Sequence, residues 1–145
     1  MTAAIYGIHA WRLARALDVC ISKAVTPVSR AYGITAAQAQ LLFSLHKNSE
    51  STVGSIADRM GVAKTNASAM CKKLANMGFI RRMRRADDER IVSLTLTERG
   101  KAVARAVEKR MEKIYKRKKP DLHEMEEMVH SFEEISKLLA EEEDI

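Results

Sequence analysis

Aromatic residues make up only 5% of the 145-residue chain, which has 6 glycines, 2 prolines and 2 cysteines. So few breakers, beside many Ala, Leu, Lys, Arg, Glu and Met, exclude a turn-rich all-β chain and favour helices. Cys20 and Cys71 lie far apart and make no metal or redox spacing, so a disulfide scaffold is excluded and a reducing cytoplasm is the expected home. No run approaches the roughly 18 apolar residues that span a bilayer, so no membrane partner is expected. The first apolar stretch is cut by His9 and Arg12 with no small-residue cleavage site after it, so no secretory leader is expected. Phosphate loops, nucleophile motifs and Gly-rich fingerprints are missing, which argues against catalysis and against a cofactor.

What is present is 46% hydrophobic and 30% charged, enough for the core of one domain with or without an extension. The net charge of +6 conceals an asymmetry. Residues 1–60 hold 6 basic and 3 acidic side chains, +3; residues 61–119 hold 18 and 6, +12; residues 120–145 hold 1 and 10, −9. A basic working surface in the middle suits a polyanion, and the acidic element lies at the end.

Periodicity orders the elements. A helix near Ile5–Ala24 carries Leu13, Leu17, Cys20, Ile21 and Ala24 at helical spacing, and Pro27 is expected to end or bend it. Gly33 breaks the chain. Thr35 and Gln38 form a capping box for a second helix with Leu41, Leu42 and Leu45 on its apolar side. After a polar loop from His46 to Ser51, Ser51 or Thr52 caps a short helix carrying Val53, Ile56, Ala57 and Met60, and Gly61 stops it. Another helix, from about Ala63 to Met77, carries Ala67, Met70, Cys71 and Leu74 inward and ends at Gly78. Two short helices across a tight glycine turn make a helix-turn-helix. The helical period is then lost over Phe79–Arg84 and Ile91–Leu96, which read as a two-stranded hairpin around the turn Arg85–Arg90. Thr97 caps a helix carrying Val103, Val107, Met111 and Ile114, broken by Lys116–Lys119 and Pro120. The last helix starts near Asp121 and carries Leu122, Met125, Met128, Val129, Phe132, Ile135, Leu138 and Leu139 at a spacing close to 3.5, a seam for another helix, before the acidic tail Glu141–Asp144.

At 100° per residue, Thr65, Ser68, Ala69, Lys72 and Asn76 share the outer face of the second helix of the pair. Lys64 flanks one side, and Asn66 and Lys73 the other. Short polar side chains let a helix approach base edges in a major groove, and lysines reach guanine acceptors or phosphates. In the hairpin, Arg82 and Arg84 alternate against Arg81 and Met83, while Arg85 stands at the entry of the turn and Arg90 at its exit. Such an arm can follow phosphates or enter the minor groove. Among the acids at its tip, Asp88 is placed to pair with a guanidinium and to accept backbone donors of the turn, which would aim Arg90.

LANMGFIRR (Leu74–Arg82), DER (Asp88–Arg90) and LTERG (Leu96–Gly100) resemble three patterns of the MarR family of winged helix-turn-helix regulators, at the expected separations. The resemblance implies that Lys64, Thr65, Asn66 and Ser68 read bases, that Lys72 and Lys73 touch phosphates or bases, and that Arg90, set by Asp88, is the wing arginine. Arg84 and Arg85 join the same basic arm. Ala63 stands where the family often has a capping Ser, and Ala69 where an Arg is common. The expected fold is mainly α with a small β hairpin: a winged helix-turn-helix domain over 35–100, flanked by dimerisation helices over 1–34 and 101–145. The implied partners are double-stranded DNA with a palindromic site, a second copy of the chain, and a small aromatic acid effector. His9, Trp11 and Arg15 could line its space.

Three other readings compete. His9, His46, His123 and His130 are scattered, and no pairing among them matches a ligand set, against a metalloenzyme. A thiol-sensing regulator of the same fold would need Cys20 or Cys71 as an exposed, low-pKa thiolate. A protein-interaction module would bind no duplex and would lack a steep salt dependence.

Overall fold

The computed structural model describes residues 3–48 and 50–140. The tail Glu141–Asp144 and the side chain of Leu139, both part of the sequence reading, lie outside the described residues. The elements are α1 (Ala3–Ala31), α2 (Ala36–Lys47), β1 (Ser51–Thr52), α3 (Val53–Met60), α4 (Lys64–Asn76), β2 (Ile80–Arg84), β3 (Val92–Leu96), α5 (Glu98–Lys118) and α6 (Leu122–Ala140). The chain divides into two units, Met1–Met111 and Glu112–Ile145.

In the first unit the local signals act as read. The Thr35 hydroxyl accepts from the Gln38 N–H at 3.1 Å, and the Gln38 side-chain oxygen accepts from the Thr35 N–H at 3.0 Å. Thr52 and Ser55 repeat this box at the start of α3, at 3.1 and 2.9 Å. Each box satisfies two backbone donors that the first helical turn leaves free. Gly61 and Gly78 end α3 and α4 at φ of 62° and 80°, where a side chain would be strained. Leu41, Leu42, Ile56, Leu74 and Phe79 are fully buried between the helices and the sheet, with Leu94 and Val103 beside them.

Two expectations are corrected. Helix α1 neither ends nor stops short at Pro27 but continues to Ala31. An interior proline costs about 3 kcal/mol. Against it, Val25 and Val28 are buried at 1% and 9% exposure, and burying one such side chain is worth about 1.5–3 kcal/mol. The preceding turn also gains outside donors: the Thr26 hydroxyl reaches the Ser22 carbonyl at 2.7 Å, and Arg110 Nε reaches the Ala24 carbonyl at 3.2 Å. The second correction concerns the hairpin, which is part of a three-stranded antiparallel sheet in the order β1-β3-β2. Ser51 pairs with Leu94 and Thr52 with Ser93, so Ser51 lies in a strand while Thr52 caps α3. A strand of two residues carries no alternation from which to read it.

In the second unit, the Asp121 carboxylate accepts from the N–H groups of His123 and Glu124 at 2.8 and 3.3 Å and caps α6. Leu122, Met128, Val129, Ile135 and Leu138 are exposed along it. Among the described residues no helix is long and apolar enough to cross a membrane.

Candidate nucleic-acid interface

The geometry of the site begins at a joint. Thr97 lies at the end of β3, and its hydroxyl sits 2.7 Å from the Gly78 carbonyl and 3.0 Å from that of Phe79. The same oxygen accepts from the Gly100 N–H at 3.1 Å and so caps α5. Arg99 donates to the Met77 carbonyl at 2.8 Å and lies over the Phe79 ring at 4.4 Å. A Cβ at position 100 would land on the Phe79 carbonyl oxygen. The Leu-Thr-x-x-Gly pattern thus has a physical content: it clips the end of α4, the root of the hairpin and the start of α5 together. On the far side of this unit an ion pair between Lys47 and Glu108 links α2 to α5, and its hydrogen bond holds the Glu108 carboxyl below the usual glutamate range.

Helix α4 turns Ala67, Cys71 and Leu74 into the core and leaves Lys64, Thr65, Asn66, Ala69, Lys72, Lys73 and Asn76 exposed. Ser68 is half-buried. Ala63 occupies the N-cap without any side-chain hydrogen bond, so the first amides of α4 keep their donors free.

The wing tip differs from expectation in one respect. The carboxylate that pairs with a guanidinium is Asp87, not Asp88: Arg85 meets it in a two-pronged contact at 2.9 and 2.6 Å. That contact holds the Asp87 carboxyl below the usual range and raises the Arg85 guanidinium. Asp88 instead accepts from the backbone N–H of Arg90 at 3.0 Å, while its carbonyl accepts from Ile91. It therefore shapes the turn under Arg90 and leaves the Arg90 side chain exposed. Neighbouring acids in a turn point according to its backbone, which composition alone does not reveal.

Between the start of α3, the start of α4 and the wing lies a cleft of about 240 Å³. Lys64, Ser68 and Arg90 line it, together with Thr52, Gly54 and Arg82. The structure therefore brings three of the sequence-derived residues to one place. Thr65, Asn66, Lys72 and Lys73 stand on the exposed side of α4, and Arg84 and Arg85 are exposed at the end of β2 and beyond it. Arg82 was missed as a site residue. The signal was available, since alternation puts it on the same side as buried Ile80, opposite Leu94, and a cation facing inward calls for an acceptor.

Cys71 is buried, and burial pushes its thiol up while the Arg82 charge pulls the other way. A raised, buried thiol is a poor sensor. Cys20 is exposed on α1. His9, Trp11 and Arg15 are also exposed there. Among the described residues no three His, Cys, Asp or Glu side chains gather as a metal site requires.

Residues 34–92 match the MarR family. The HTH-type transcriptional repressor MdtR of Bacillus subtilis is 35% identical over 68 residues, 47% of this chain and 44% of that protein. The chain thus spans less than half the length of the curated relatives it matches. A MarR transcriptional regulator from Methanosarcina mazei Go1 superposes with a TM-score of 0.70 at 23% identity, over 95% of this chain and 98% of that one. Overoxidized AbfR, solved bound to DNA, superposes with a TM-score of 0.69 at 24% identity, over 96% of this chain and 93% of its own. Residues 34–92 are thus similar in sequence to the MarR family, and the chain is similar in fold to these solved proteins.

Proposed function

We propose that the protein is a sequence-specific DNA-binding transcription regulator that works in the cytoplasm as a homodimer on a palindromic operator. The observation that carries this reading is the meeting of Lys64, Arg82 and Arg90 in one cleft beneath an exposed helix face of small polar residues. Cations at the margins suit phosphates, and Thr65, Asn66 and Ser68 suit base edges. Lys72 and Lys73 extend the phosphate contacts along α4, and Arg84, Arg85 and Arg90 make the wing a basic arm whose turn Asp88 shapes. Residues 35–100 form the DNA-binding part, and 1–34 with 101–145 the dimerisation region, where the apolar rows of α1 and α6 are each covered by a second copy. Two-fold symmetry then sets the recognition helices about 34 Å apart, one turn of DNA. The similarity to a protein named a repressor supports repression, and release by a small effector completes the proposal. The protein needs no cofactor and catalyses no reaction.

Fluorescence anisotropy with duplex fragments, read across a salt series, tests the reading. Binding should weaken steeply with salt. Arg90→Ala should lower affinity on all sequences alike, while Asn66→Ala should relax sequence preference, each lost base contact costing about 1–3 kcal/mol. A chain that ignores duplexes even in dilute buffer would remove the proposal.

A further inference from the structure

We infer that the cleft between α3, α4 and the wing is a seat for a single phosphodiester group of the DNA backbone, with Arg82 as its inner ligand. The inference rests on the DNA-binding reading above and assigns that site a part it did not have. Among the described residues, Arg82 Nε is the one buried side-chain nitrogen or oxygen without a hydrogen-bond partner. A charged donor left unpaired away from water is costly, and an anion reaching the partly buried Arg82 guanidinium would offset that cost. The residues around it supply none that is anionic. Lys64, Arg82 and Arg90 bring three positive charges, and no carboxylate lines the cleft among the described residues.

The remaining donors point to an oxyanion. The Thr52 hydroxyl oxygen accepts from Ser55, which leaves its proton to give. Ser68 lines the opposite wall. Gly54 lies in the first turn of α3, where backbone N–H groups have no partner within the helix and the helix dipole favours negative charge. Size narrows the choice. At about 240 Å³ the space falls below the range of roughly 300–1,000 Å³ typical of whole small-molecule ligands, and suits one group of a longer polyanion. A seat whose charged groups are all cations, set among the apolar Val53, Ile91 and Val92, reads charge rather than base identity, so Arg82 sets register and affinity without choosing sequence.

Anisotropy titrations of the full chain on several unrelated duplexes, each over a salt series, test this with Arg82→Met, which keeps the stem and removes the head. Affinity should fall about ten- to a hundredfold on every duplex. The slope of log affinity against log salt should lessen by about 1.8, one phosphate for each copy of the dimer. A methylphosphonate scan of the duplex should then show one position in each half-site at which the wild type loses affinity and Arg82→Met loses nothing further. Should Arg82→Met not fold, Arg82→Gln, with a polar end for the buried position, carries the same readouts. Inorganic phosphate exchanged for chloride at equal ionic strength separates the two sources of the anion. An equal shift of the thermal midpoint on adding phosphate, in wild type and variant alike, assigns the seat to the DNA backbone. Selective protection of the wild type, with no difference between the proteins on DNA, overturns that assignment. A wild type that binds DNA while the variant keeps its salt slope overturns the seat alone; a wild type that binds no duplex overturns the DNA reading with it.

Discussion

The two ends of α1 differ in both composition and environment. Near its C-terminal end the helix buries one side, with Val25 at 1%, Val28 at 9% and Ser29 at 3% exposure, while Pro27 is exposed. Before Ser22, Ile8, Trp11, Leu13 and Leu17 stand at 58%, 68%, 55% and 47%. At 100° per residue these earlier side chains, with Ile5, Val19 and Ile21, fall on every side of the helix. Arg12, Arg15, Asp18 and Lys23 interrupt them, so the stripe through Leu13, Leu17 and Ile21 is the face that calls for a cover. Burying each such side chain is worth about 1.5–3 kcal/mol, so the uncovered half holds a stabilisation that its own unit does not realise. The difference teaches that an apolar period marks a face to be covered, and that a separate observation must say by what.

The sharpest way to break this comparison is to charge the uncovered half. Leu17→Glu should leave the monomer folded, abolish dimerisation in sedimentation runs, and reduce DNA affinity by about a hundredfold to ten-thousandfold through loss of the second half-site. A variant that still sediments as a dimer would transfer the interface elsewhere. The converse change tests the covered region. Leu74→Ala, at a position with 0% exposure, should cost about 2–5 kcal/mol in urea unfolding. Gly100→Ala forces α5 away from the Phe79 carbonyl and should cost about 1–3 kcal/mol, with a matching loss of DNA affinity because the wing root moves. The smallest change has the opposite sign. Ala63→Ser supplies the cap that α4 lacks and should add about 1 kcal/mol by the same unfolding assay.

How much of this was legible depended on the range of the forces. Capping boxes and left-handed glycines act within a few residues, so Thr35 with Gln38, Gly61 and Gly78 could be read directly. The inward faces of α2 and α4 were legible too, because a 3.6-residue period survives in the sequence. Pro27 was misread since what carries the helix past it, the burial of Val25 and Val28 and the Arg110 contact, comes from other parts of the fold. The strand Ser51–Thr52 exists because β3 offers it an edge, and nothing local marks it. At the site, the exposed cations were found by type and face. Arg82 was not, because its importance lies in a missing acceptor, and only the packed structure shows which donors are left over.

The joint at Thr97 has one more consequence. Since a single hydroxyl ties Gly78, just past the end of α4, to the root of the wing at Phe79 and to the first turn of α5, these three parts cannot hinge against one another cheaply. A torque delivered through the start of α5 must therefore swing the end of α4 and the root of the wing with it as a block, changing where they stand rather than their shape.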